Sequence, residues 1–341
     1  MGIKSNNKAE SYFNFFGASG TDAMAPSAVF SVDSVFSTFL YTGPGSGQSV
    51  DNGIDLDGEG GLVWIKNRDA TQNHWLLSED LGSNNPLSSN LTSSASTNVT
   101  NWFGADPLYT FNNNGFTLAA QAQFTTENDD YVSWTFRKAE KFFDIVTYSG
   151  NATARTIAHN LGCVPGMVIV KSTTADADWF VYNKSVGATY GLLLSETNSK
   201  IDSPYWNDTA PTAEVFSVTG AGYNINETGQ DYVAYLFADD EDFIKCGTTS
   251  SIAGFTTETI ELGFKPQFIL AKPVTNSGFW LIADSKRGLY TSVSSAAKAL
   301  FPNETDIEST TYDSVAVHDN GFILKDWTGS TGSYLYMAIK E

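Results

Sequence analysis

The chain has 341 residues, and 38 Asp and Glu against 19 Lys and Arg leave a formal net charge of −19. That balance argues against nucleic acid and anionic membranes as partners, since both require Lys/Arg clusters to meet phosphate. Apolar runs stop short of the ~20 residues a membrane helix requires, and Cys163 and Cys246 are too few for a disulfide framework.

Residues 1–36 read as an extended N-terminal arm. Met1 to Glu10 is polar and lacks the charged start and apolar core of a secretory signal, so the expectation is a chain that reaches the outside without one. Tyr12, Phe13, Phe15 and Phe16 then cluster between Ser11 and Gly17 with no core of their own. Aromatics so placed need a surface to bury against, either the first folded unit or a socket on another protein. The second reading makes these four the anchoring residues.

From Phe36 onward one pattern occurs three times: a β-rich run, a polar turn, and an apolar run closing on lysine. Lys66, Lys171 and Lys272 lie 105 and 101 residues apart, and Trp75, Trp179 and Trp280 lie 104 and 101 apart. The pairs Gly115-Phe116, Gly222-Tyr223 and Gly321-Phe322 give 107 and 99, and Tyr131, Tyr232 and Tyr334 give 101 and 102. A near-constant period of domain size predicts three tandem modules, over 37–140, 141–240 and 241–341.

In the middle module strands are predicted near 142–149, 154–159, 165–173, 177–184, 189–196, 212–218 and 230–238. Asp178 to Tyr182 and Tyr232 to Phe237 alternate in the manner of half-buried strands. Only Ser292 to Leu300 has the composition of a short helix. The expectation is therefore an all-β fold of three antiparallel β-sandwich modules, jelly-roll or immunoglobulin-like, preceded by the arm. Gly162 and Gly263 are assigned to turns of positive φ. Trp75, Trp179, Trp280, Tyr131, Tyr232 and Tyr334 are assigned to the repeated cores, and for the tryptophans core filling is preferred to sugar stacking.

Catalytic and metal signals are sparse. His74, His159 and His318 have no metal-ligand spacing, and no Gly-x-Ser-x-Gly elbow or dinucleotide glycine pattern occurs. Asp51 to Glu59 and Asp239 to Asp242 are acidic enough to hold Ca²⁺. The first fails the EF-hand spacing, and both read more simply as a solvated hairpin and a linker. No metal, cofactor or enzymatic activity is expected.

Several stretches resemble a domain that recurs in virion structural or tail-fibre-like proteins of tailed bacteriophages, especially marine ones. Gly61 to Arg68, Asn113 to Phe116, Tyr131 to Lys138, Ile157 to Gly162 and Pro165 to Lys171 carry the likeness. Lys4 to Asn7, Ser11 to Phe13 and Gly20 to Ala23 are similar to a header that precedes varied domains in such proteins. The resemblance implies a virion structural protein at the particle surface. The arm would bind other virion proteins, and the modules would meet a host-surface glycan or receptor as a tail fibre or fibre-like appendage. Its alternative is a capsid decoration or head-fibre protein, and behind both stands a tail-associated glycan depolymerase, marked by paired carboxylates ~5–9 Å apart. Fibres are commonly homo-trimers, but no heptads enforce a trimer here, and three modules in one chain partly substitute for three chains.

Overall fold

Runs of β-branched and aromatic residues become strands throughout. The computed structural model describes residues 30–95, 107–289, 291–292 and 297–341. Tyr12, Phe13, Phe15 and Phe16 lie outside the described residues. The remainder is all-β and β-sandwich-like, and its strand pairings are antiparallel.

Three large sheets follow one another along the chain. The first is ordered β1 (Phe36–Thr42), β8 (Asp130–Arg137), β3 (Gly61–Asn67), β4 (Trp75–Ser78), β5 (Leu87–Ser88). The second is ordered β9 (Phe143–Ser149), β16 (Asp231–Ala238), β11 (Pro165–Ser172), β12 (Trp179–Asn183), β13 (Tyr190–Leu193), β14 (Ile201–Asp202). The third is ordered β17 (Ile244–Thr248), β25 (Tyr334–Lys340), β19 (Pro266–Pro273), β20 (Leu281–Asp284). In each, the first strand pairs with the last, the last with the lysine strand, and that with the strand after it.

A smaller sheet covers one face of each. These are β2 (Gln48–Asp51), β7 (Gly115–Leu118) and β6 (Tyr109–Asn112); then β10 (Arg155–Ala158) with β15 (Val215–Val218); then β18 (Thr257–Glu261), β24 (Gly321–Lys325) and β23 (Val315–His318). Phe116, Phe216 and Phe322 occupy one register position, opposite Val50, Ile157 and Ile260. The landmark Gly222-Tyr223 lies beyond β15, and Val215-Phe216 holds the place that Gly115-Phe116 and Gly321-Phe322 hold in the other thirds.

The seven strands expected in the middle third fall within a few residues of β9 to β13, β15 and β16, and the two-residue β14 was not among them. Gly162 and Gly263 have φ of 71° and 85°, the left-handed region where a Cβ is penalised. Of the helix expected over Ser292 to Leu300, residues 293–296 lie outside the described residues, and the end from Ala297 is corrected. Ala297–Ala299 form strand β21, paired with β22 (Ser309–Tyr312), and Leu300 bridges to Ile282. Both flanking alanines are buried there, so pairing overrides the helical preference of Ala, Lys and Leu.

Half-burial is also corrected. Strands β3, β11, β12 and β19 are buried at every position. One face of each large sheet meets its small sheet; the other meets the neighbouring large sheets. At that meeting Phe136 stands among Phe36, Phe143, Phe237 and Phe268, with ring centroids 5.0 to 5.9 Å away. Phe36 in turn lies 5.5 Å from Phe268, and Phe143 lies 4.9 Å from Phe237. All three sheets contribute rings to this hub. Tilted and edge-on contacts of this kind add to what area burial alone supplies.

Candidate functional site

The residues singled out by their repetition lie mostly at seams between successive thirds. Each closing lysine is fully buried and donates to carbonyls. Lys171 Nζ reaches Ser172 O at 2.8 Å and Thr92 O of the preceding third at 3.0 Å. Lys272 Nζ reaches Thr197 O at 3.0 Å and Asn198 O at 2.9 Å. Lys66 Nζ reaches Asn67 O at 2.7 Å, and the carboxylate of Asp306 in the last third supports its charge. Burial pushes the Lys66 and Lys171 amines down to about 8 and that of Lys272 to about 7.

Three pairs of backbone bonds give the seams one plan. Ala177 N donates to Thr92 O, Gly278 N to Thr197 O, and Gln72 N to Thr305 O. Ala95 N donates to Thr173 O, Lys200 N to Val274 O, and Glu308 N to Arg68 O. The first third therefore straps the second, the second straps the third, and the third returns to strap the first.

The register places the tryptophans differently from the sequence expectation. Trp179 lies opposite Lys171 in the β11–β12 pair, whereas Trp75 lies opposite Ile65, one residue earlier than Lys66. Strand alternation therefore turns Trp75 into the buried apolar cluster of the first third, and Trp179 and Trp280 toward the seams. Trp75 indeed packs with Val63, Ile65 and Leu77. Trp179 Nε1 donates to Ser88 O and Leu91 O at 2.9 and 3.1 Å, and Trp280 Nε1 donates to Leu193 O at 2.8 Å. His74 holds the seam position in the first third. It accepts from Trp64 Nε1 at 3.0 Å and stacks on Trp134, and burial beside Lys66 and Arg287 pushes its pKa well down, leaving a neutral ring.

The third seam is the charged one. Glu308 accepts from Arg68 through both oxygens at 2.9 Å and pairs with Arg287 at 3.3 Å. Arg287 Nε reaches Asp284 at 2.6 Å, and Trp134 Nε1 of the first third reaches the same carboxylate at 3.0 Å. The Arg68 and Arg287 guanidiniums hold the Glu308 carboxyl below its usual range although burial pushes it up.

Tyr131, Tyr232 and Tyr334 are buried, and their hydroxyls latch one loop position. They accept from Thr126 N, Glu227 N and Trp327 N at 3.0, 2.9 and 3.2 Å. The residue before each of those takes an N–H from a second loop: Gly45 N to Thr125 O, Ala152 N to Asn226 O, Phe255 N to the Asp326 carboxylate. Those three donors all have positive φ, of 73°, 60° and 59°. Only in the last third are both positions aromatic. There Phe255, Tyr312 and Trp327 line a cleft of about 360 Å³, with Thr311, Asp313, Ser314, Lys325 and Asp326. Phe255 is 66% exposed, and Asp313 pairs with Lys325. Nothing in the repeat landmarks pointed to this cleft; the breaks in the repeat at Phe255 and Trp327 would have.

The acidic stretches are engaged locally. Asn52 accepts from Ile54 N, Asp55 from Asp57 N, and Asp239 from Cys246 N while pairing with Lys184. Among the described residues no group of three or more His, Cys, Asp or Glu converges as a metal site. Cys163 and Cys246 are both free, the first half-buried and the second buried.

A family model matches residues 32–341, described as a domain of unknown function, DUF7483, and the chain belongs to that family. Comparison with curated proteins returns no match.

Proposed function

We propose that this member of the DUF7483 family is a non-enzymatic bacteriophage virion protein, a display head fixed to the particle by residues 1–36 and carrying three β-sandwich modules for host-surface adhesion. The modules run over 37–140, 141–240 and 241–341. The observation that carries this reading is the cyclic strapping of the three thirds. Seams with buried hydrogen bonds and an aromatic hub lock the sandwiches into one body, as a projecting appendage requires and a string of flexible binding modules does not. The folded part takes over from the arm by Val32, which is already buried with Val35 and Phe36. The negative charge keeps such a head soluble and away from nucleic acid.

Arrangement of three sandwiches around one hub in a single chain supplies what a homotrimer supplies in other fibres. A second reading, capsid decoration or a head fibre, uses the same body and differs in the address of the arm. Cryo-EM of virions that carry the chain tests both. Density for the arm on the tail supports adhesion. An arm seated on the capsid lattice overturns adhesion in favour of decoration, and virions without the chain overturn both.

A further inference from the structure

We infer that the cleft of the last third, between Phe255, Tyr312 and Trp327, is a saccharide-binding site. The inference deepens the adhesion reading by naming its contact surface. It starts from an internal comparison. At two loop positions matched by their donors and by the residue that accepts (through its main chain in the first two thirds, through the Asp326 carboxylate in the last), the first and second thirds carry Gly45 with Thr126 and Ala152 with Glu227; the last third carries Phe255 with Trp327. The change does not serve the fold. A left-handed φ disfavours a bulky side chain, and Phe255 adopts it at 59° while leaving its ring 66% exposed. Its ring lies against Gly329, where an added Cβ would come within 2.7 Å of Phe255 Cζ.

The same loop is held firmly. Asp326 accepts from Phe255 N at 2.9 Å, Gly329 N at 2.8 Å and Thr328 Oγ1 at 2.7 Å, and also from the Tyr334 hydroxyl. Trp327 packs at 4.4 Å on Tyr334 and at 6.4 Å from Tyr312. A rigid aromatic wall is therefore presented beside a polar rim made of Thr311, Asp313 and Lys325. The Asp313–Lys325 pair is reachable by solvent, with side chains 50% and 25% exposed.

A ligand matching this cleft has one flat apolar face and a rim of hydroxyls. A pyranose ring fits that description: its C–H face lies on the aromatic wall, and vicinal hydroxyls bridge the carboxylate and the ammonium. Two carboxylates against one ammonium in the lining select neutral and amino sugars over acidic ones. Hydrolysis is not part of the assignment. Burial pushes the Asp326 carboxyl up, but hydrogen bonds from Tyr334, Phe255 and Thr328 outweigh it and hold the group ionised, unlike a general acid.

The test uses the full chain on an array of neutral, amino-sugar and acidic oligosaccharides, followed by titration with the best binder read by tryptophan fluorescence. Phe255→Gly and Asp313→Ala should each weaken binding by at least about tenfold, the loss of one aromatic or charged anchor. Phe255→Tyr should retain it, and Phe255→Gly should not lower the melting temperature, since glycine is at ease at positive φ. No binding to any saccharide at millimolar concentration overturns the site. Binding that survives both Phe255→Gly and Asp313→Ala also overturns it and leaves adhesion to be located elsewhere on the chain. Conversely, a chain that binds through this cleft but occurs on no virion keeps the site and removes the adhesion reading.

Discussion

Lys66, Lys171 and Lys272 each place an ammonium group where water does not reach, with carbonyl oxygens as the direct partners. Burial holds the three folded-state pKa values at about 8, 8 and 7, below the ordinary lysine value. The unfolded chain therefore binds more protons than the folded one between those values and about 10.4. Stability accordingly rises with pH across that window, and the penalty of charging a buried amine is fully present below it. Urea unfolding between neutrality and pH 9.5 should show a rise that is smaller in Lys272→Met by the share of that one amine, while Lys66 and Lys171 keep theirs. Trp179 tests the seams without altering charge. Trp179→Phe leaves Ser88 O and Leu91 O without their buried donor and should cost about 2 kcal/mol by the same measurement. The lysines, tyrosines and tryptophans were legible as landmarks from their spacing. Their faces were not. The first third carries tryptophan one residue beyond the seam position and histidine in it. A one-residue slip turns a strand side chain to the opposite face.

Between elements, the third seam closes a loop of the chain through Arg68 and Glu308. Glu308→Ala would leave two guanidiniums, those of Arg68 and Arg287, without their shared carboxylate. Removing one partner from a buried ionic cluster is more harmful than never having built it, and a loss of about 3 kcal/mol is expected in equilibrium unfolding. Strand positions in the middle third were readable because aromatic and β-branched runs alternate with turn residues. Their burial on both faces was also present in the letters: Val168-Ile169-Val170 and Tyr232 to Phe237 are continuous apolar runs, the mark of a sheet covered on both sides. Which segment straps which sheet had no local signal. Thr92, Thr197 and Thr305 look like ordinary loop residues until their carbonyls are seen accepting equivalent bonds. Nor did Ser292 to Leu300 reveal its strand, because its partner β22 supplies the pairing.

At the scale of the molecule, the thirds depend on one another although the first and the last each contain a buried apolar cluster of their own. The hub rings, the seam tryptophans and the charged cluster are satisfied only when all three are present. Calorimetry of residues 31–341 should give a single cooperative transition, and a fragment ending at residue 240 should fail to give a cooperative one, because it exposes Trp134, His74 and Phe136 on the face the last third covers. Independent beads would instead melt separately, and the fragment would keep two of their transitions. Light scattering should report a monomer, since the aromatic hub of Phe36, Phe136, Phe143, Phe237 and Phe268 is already buried within one chain.

Ring closure also sets an order of events during synthesis. Arg68 emerges from the ribosome long before Glu308, the partner 240 residues further on. At ribosomal speeds of about 5–20 residues per second, the aromatic face of the first third waits roughly 10–50 s for its cover. Through that interval a nascent chain shows its neighbours the aromatic face, with Phe136 and Trp134, that Phe268 later covers. Crowded polysomes therefore offer it a wrong partner, the waiting face of the next copy, before the right one exists.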